Sequence, residues 1–144
     1  MTPEEITQLN AERQRLGMEW AGPSLIKAEL DKPGQVEIWV VSDEKCLVPR
    51  PELEAMLSDA SIGNLLTALE TSPVLAYRWQ SLDNPDMAHP VMRGQVEGLA
   101  TAGVITADEA TNLLRLGERL QTRSEELFGR NLTVAEITEA FDAV

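Results

Sequence analysis

The sequence predicts a mainly α fold, a compact bundle of short helices with one small β-hairpin near residues 35–48. Three observations lead there. Hydrophobic residues are 43% of the chain but aromatics only 4%, so the core must be built from Leu, Ile, Val, Ala and Met, which suits helix-on-helix packing. A helix-start signal, Thr-x-x-Glu, recurs at Thr2/Glu5, Thr106/Glu109, Thr122/Glu125 and Thr133/Glu136; the hydroxyl accepts from an orphan amide and the carboxylate reaches back to the cap amide. One convincing strand signal stands against these, the β-branched and aromatic run from Gln35 to Val41.

Taken in order, the first helix should run from Pro3, a residue tolerated in a first turn, to Leu16, with Gly17 ending it. Ile6, Leu9, Arg13 and Leu16 share one narrow face, as expected of a helix lying on a neighbour or a partner. Ser24 can cap a short helix through Leu30, which Lys32-Pro33-Gly34 stops. The strand follows, with Trp39 as its expected anchor and Cys46-Leu47-Val48 as its expected hairpin partner across the turn Ser42–Lys45. Pro51 opens a helix to about Ser58, Ser61 caps one to Thr71, and Ser72-Pro73 starts another bearing Val74, Tyr77 and Leu82, with Trp79 nearby. Residues 81–89 carry turn formers and read as a loop or hinge. Pro90 then opens a helix with Met92, Val96 and Leu99, ended by Gly103, and a second runs from Ala107 to about Leu120. Two shorter helices close the pattern.

At 144 residues the chain has the length of one ordinary domain. The expected division is a leading helical segment over 1–23, a candidate docking arm, and a single helical domain with the hairpin over 24–144. Twelve Lys and Arg against 24 Asp and Glu give a net charge of -12, which disfavours direct binding to nucleic acid or to an anionic membrane surface. The acids are dispersed, as on a solvated surface, and a surface that meets a basic partner, imitation of DNA included, is the alternative. The start Met-Thr-Pro-Glu-Glu has no signal-peptide character, one cysteine cannot form an internal disulfide, and no apolar run approaches the ~20 residues of a membrane span. A reducing, cytosolic setting is expected.

Few residues carry a catalytic or metal signature. Cys46 and His89 are the sole members of their types, and each reads as structural, the one a small filler at a strand, the other a loop residue before a proline. Gly98–Glu109 has the spacing of a calcium loop, but its first ligand positions fall on Gly98, Ala100 and Ala102, which bring no side-chain oxygen. The adjacent acids Glu4-Glu5, Asp108-Glu109 and Glu125-Glu126 sit in predicted first turns, where they suit the helix dipole. No catalytic, metal or cofactor residue is expected. The candidate contact residues are Ile6, Leu9 and Arg13 on the first helix, and Arg115, Arg119 and Arg123, whose four-residue spacing would line one side of a helix.

Gly103-Val104-Ile105-Thr106, Leu113-Leu114-x-Leu116, Thr122-Arg123-Ser124-Glu125-Glu126-Leu127 and Leu132-Thr133-Val134-Ala135-Glu136-Ile137, together with Leu30–Gly34 and Pro49-Arg50-Pro51-Glu52-Leu53, carry a resemblance. Over roughly residues 24–141 the chain resembles small proteins encoded among the virion structural genes of tailed bacteriophages and prophages. The resemblance implies genomic context among virion genes, and the expectation drawn from that context is a non-enzymatic structural or assembly protein, a minor capsid, connector or tail component, with other phage proteins or copies of itself as partners. Made in the bacterial host cytoplasm, it would then pass into the virion. The alternative expectation is a phage-encoded acidic inhibitor of a host defence or nucleic-acid-binding enzyme.

Overall fold

The computed structural model describes residues 1–143 and is mainly α. Among the described residues it forms helices α1 (Pro3–Leu16), α2 (Pro23–Leu30), α3 (Arg50–Ala55), α4 (Asp59–Thr71), α5 (Pro73–Gln80), α6 (Pro90–Thr101), α7 (Ala107–Arg115), α8 (Arg123–Phe128) and α9 (Val134–Asp142). Two short strands, β1 (Trp39–Val41) and β2 (Glu118–Leu120), pair with each other. All four Thr-x-x-Glu signals close as reciprocal capping boxes, at the starts of α1, α7, α8 and α9. The local chemistry that predicts these helix starts is the chemistry that makes them.

The chain divides into two compact units, one of Met1–Trp39 with residues 120–143, the other Val40–Arg119. In the first, Leu9, Ile26, Leu30, Leu132 and Ile137 are each at most 1% exposed and form one core, with Ile6, Leu127 and Phe141 packed against it. Residues 1–23 are therefore not set apart as an arm, because the apolar stripe of α1 is covered by α2 and α9 of its own unit. Glu12, 4% exposed, pairs with Arg15 and with Arg123, whose Nη2 lies 2.9 Å from Glu12 Oε2. Arg123 also holds Glu126, which accepts from the backbone amides of Gln35 and Val36 at 3.0 Å each. This network fastens the segment after α2 to α8.

In the second unit α6 packs on α7 around a core of Leu53, Met87, Met92, Val96, Ile105, Ala110 and Leu113, and α4 packs on α5. Ser72 serves two helices, ending α4 and capping α5 through its hydroxyl. Residues 81–89 lie between α5 and α6 as the expected loop, and the fold ties that loop down. Met87 is fully buried, Asp86 accepts from the amides of Cys46 and Ala88, and Val48 N donates to Pro85 O.

Three further expectations are corrected. The strand is real but its partner is not Cys46–Val48: β1 pairs with β2, the flanking bonds being Gln121 N to Ile38 O and Ser42 N to Gly117 O, while Leu47 bridges Asp86. Trp39 is half-buried and outside both cores. The helix expected from Ala107 to Leu120 stops at Arg115, because Gly117 passes so close to the Met87 carbonyl that a Cβ would lie 2.1 Å from its oxygen. The chain turns there and continues as β2.

Candidate functional site

Within the unit Val40–Arg119, an open groove of about 360 Å³ runs between the α4–α5 pair and α6. Its floor is Leu75 and Trp79 from α5, Met92 and Leu99 from α6, and Val104. Spacing on the helices explains it: Leu75 and Trp79 are one turn apart, and Met92, Gln95, Leu99 and Ala102 follow at three- and four-residue steps along α6. From Met92 to Ala102 that stripe extends about 15 Å. Small residues at Ala68, Gly98 and Ala102 keep the groove open, and at Gly98 a Cβ would meet nothing within 4 Å.

Trp79 is fixed from two sides. Its indole Nε1 donates to Glu54 Oε1 at 3.1 Å, and Arg50 Nη1 donates to the carbonyls of Trp79 and Gln80, closing the end of α5. The face expected on this helix, Val74 and Tyr77, points outward instead, at 60% and 75% exposure, and the buried face is that of Leu75 and Trp79.

The electrostatics of the groove differ from those of the chain. One residue in six is acidic, 24 of 144, so twelve lining residues would carry two on average; none of the twelve is Asp or Glu. One cation, Arg78, stands at the groove. Among the described residues the Arg78 side chain makes no hydrogen bond or ion pair, whereas every other arginine side chain is held by a carboxylate, a carbonyl, an amide or a ring.

The residues expected to form contacts lie elsewhere. Leu9 is in the core and Ile6 packs on it, so that face of α1 is used within the fold. Arg13 stacks over Phe141, 3.8 Å from the ring centroid, and donates to Glu19 O. The arginine row is not a helix stripe: Arg115 ends α7, Arg119 lies in β2 and Arg123 begins α8. Each meets an acid, Arg115 with Glu118, Arg119 with Asp43, and Arg123 with Glu12 and Glu126. Sequence reasoning missed the groove. Its signal is the small-residue spacing Gly98–Ala102 on a helix already carrying Met92 and Leu99, positions that the sequence reading weighs only as ligands of a calcium loop.

The remaining polar features are structural in their contacts. Hydrogen bonds from the Ser61 hydroxyl and from the amides of Thr106 and Ser58 hold the Glu109 carboxyl well below its ordinary range, at about 2. His89 caps α6, its Nδ1 accepting from Val91 N at 3.1 Å, and Cys46 packs against the core beside α3. Among the described residues, no group of three or more His, Cys, Asp or Glu side chains is placed to hold a metal ion, and no helix is long and apolar enough to cross a membrane. Compared with family models, with curated proteins and with solved structures, the chain has no match in any of the three.

Proposed function

We propose that this chain is a non-enzymatic structural or assembly protein of a tailed bacteriophage, a minor capsid, connector or tail component that works by binding other phage proteins. The observation that carries the contact reading is the groove: an apolar, acid-free surface with an uncommitted arginine on an otherwise acid-rich chain. Burial of such a surface is favourable at roughly 25 cal/mol per Å² of apolar area, and the exposed Val74 and Tyr77 on the same helix as Arg78 extend what a partner can cover. The virion context is supported by the resemblance of residues 24–141, chiefly in the C-terminal third, to proteins of that setting. A stable interface buries about 1,200–2,000 Å² in total, so the groove acts with surface around it.

Quantitative mass spectrometry of purified particles tests the reading. A fixed copy number relative to the major capsid protein, retained after a high-salt wash, is expected. Absence from particles and from assembly intermediates overturns it, and a partner captured in solution with steep loss on raising salt would favour an acidic inhibitor.

A further inference from the structure

We infer that the groove between α5 and α6 receives an amphipathic helix of a partner protein, with an acidic side chain of that helix paired to Arg78. The inference rests on the contact reading above and names the chemistry of its partner. Three features argue for a helix. The groove is open along its length and follows α6 for about three turns, from Met92 to Ala102. Its floor of Leu75, Trp79, Met92, Leu99 and Val104 is apolar, as the i, i+3, i+4 and i+7 side chains of an amphipathic helix require of a groove. Ala68, Gly98 and Ala102 present little side chain, so a second helix can approach to the 8–10 Å typical of packed axes.

The acid on the partner follows from charge. An apolar helix alone would leave the Arg78 guanidinium facing a closing, partly desolvated interface without a counter-charge, which is costly. The lining residues hold no carboxylate to supply one. A carboxylate brought by the partner satisfies Arg78 and fixes the register of the helix in the groove. A basic helix, which the net charge of the whole chain would favour at long range, meets the wrong sign at this position.

The experiment uses the full chain and two synthetic 18-residue amphipathic helices that share one Leu/Ala apolar face and differ at a flanking position, Glu in one and Lys in the other. Binding is followed by methyl and indole NMR shifts at Met92, Leu99 and Trp79. The Glu helix should bind at least about tenfold tighter than the Lys helix, equivalent to roughly 1.4 kcal/mol, and Arg78→Glu should reverse that order. Gly98→Leu, at a groove-lining position where an added Cβ would meet nothing within 4 Å, should abolish binding of both while circular dichroism shows the helix content retained. Equal binding of the two helices, or shifts confined to residues outside the groove, overturns the inference. So does binding of dodecanoate with no response to either helix, which would mark a small-amphiphile site, and so does loss of self-association on Gly98→Leu, which would mark a second copy as the occupant. If the chain is present at fixed copy number in particles but neither helix perturbs the groove, the virion reading stands and this inference fails.

Discussion

Glu12 is a charged residue at 4% exposure that stays charged. The hydrogen bonds from Arg15 lower its carboxyl most, those from Arg123 add to this, and burial opposes both; the result is about 2. A carboxyl whose folded value is depressed contributes stability that is complete above its unfolded range and is lost as the pH falls through the folded value. Stability should therefore decline between about pH 4.5 and pH 2, and Glu12→Gln should flatten that decline; urea unfolding at pH 7 and pH 3 gives the comparison. At pH 7, Arg123→Met should cost about 2 to 3 kcal/mol, below the usual cost of a broken buried pair because Arg15 still meets Glu12. Two glycines predict opposite outcomes. Gly117→Ala places a methyl on the Met87 carbonyl and should destabilise by about 3 kcal/mol or more, whereas Gly98→Ala, in open space on α6, should stabilise by about 0.5–1 kcal/mol. Thermal melts of the two variants against the parent read the contrast.

At the scale of elements, what was legible is what is local. Each capping box lies within four residues, so Thr106 and Glu109 announce α7 without reference to any other segment. The partner of β1 was not legible, because three-residue strands carry no pattern that selects between Cys46–Val48 nearby and Glu118–Leu120 far along the chain. Nor was the end of α7: Arg115, Arg119 and Arg123 have helical spacing, and only the crossing of Gly117 over Met87 breaks the helix between them. One element does double duty. Glu109 closes the α7 box and also accepts from Ser58 and Ser61 at the start of α4. Thr106→Ala should cost about 1 kcal/mol, the ordinary value of a cap, and Glu109→Ala should cost more, since it leaves the buried Ser61 hydroxyl without its acceptor; denaturant midpoints of the two variants give the order.

At the scale of the molecule, the division into two units was hidden from sequence because one of them is assembled from residues 1–39 and 120–143, and hydrophobic periodicity reports only on neighbours. The face of α1 was legible as apolar, but its cover was not, since Ile137 and Ala140 come more than 120 residues later in the sequence, after the inserted unit. Ile137→Ala should remove about 3 kcal/mol from the core that holds Leu9, Ile26 and Leu30. Hydrogen exchange should then accelerate most at amides of α1, α2 and α9. A uniform acceleration across residues 40–119 would show that the two units unfold together.

The interleaving of the units also orders events on the ribosome. Residues 40–119 emerge with every buried partner they need, and can fold as soon as they clear the exit tunnel. Leu9, Ile26 and Leu30, translated earlier, stay uncovered until Leu132 and Ile137 follow. The segment made before the inserted unit is thus the last to find its place, and a ribosome that stalls before residue 132 holds a nascent chain with greasy side chains open to a chaperone.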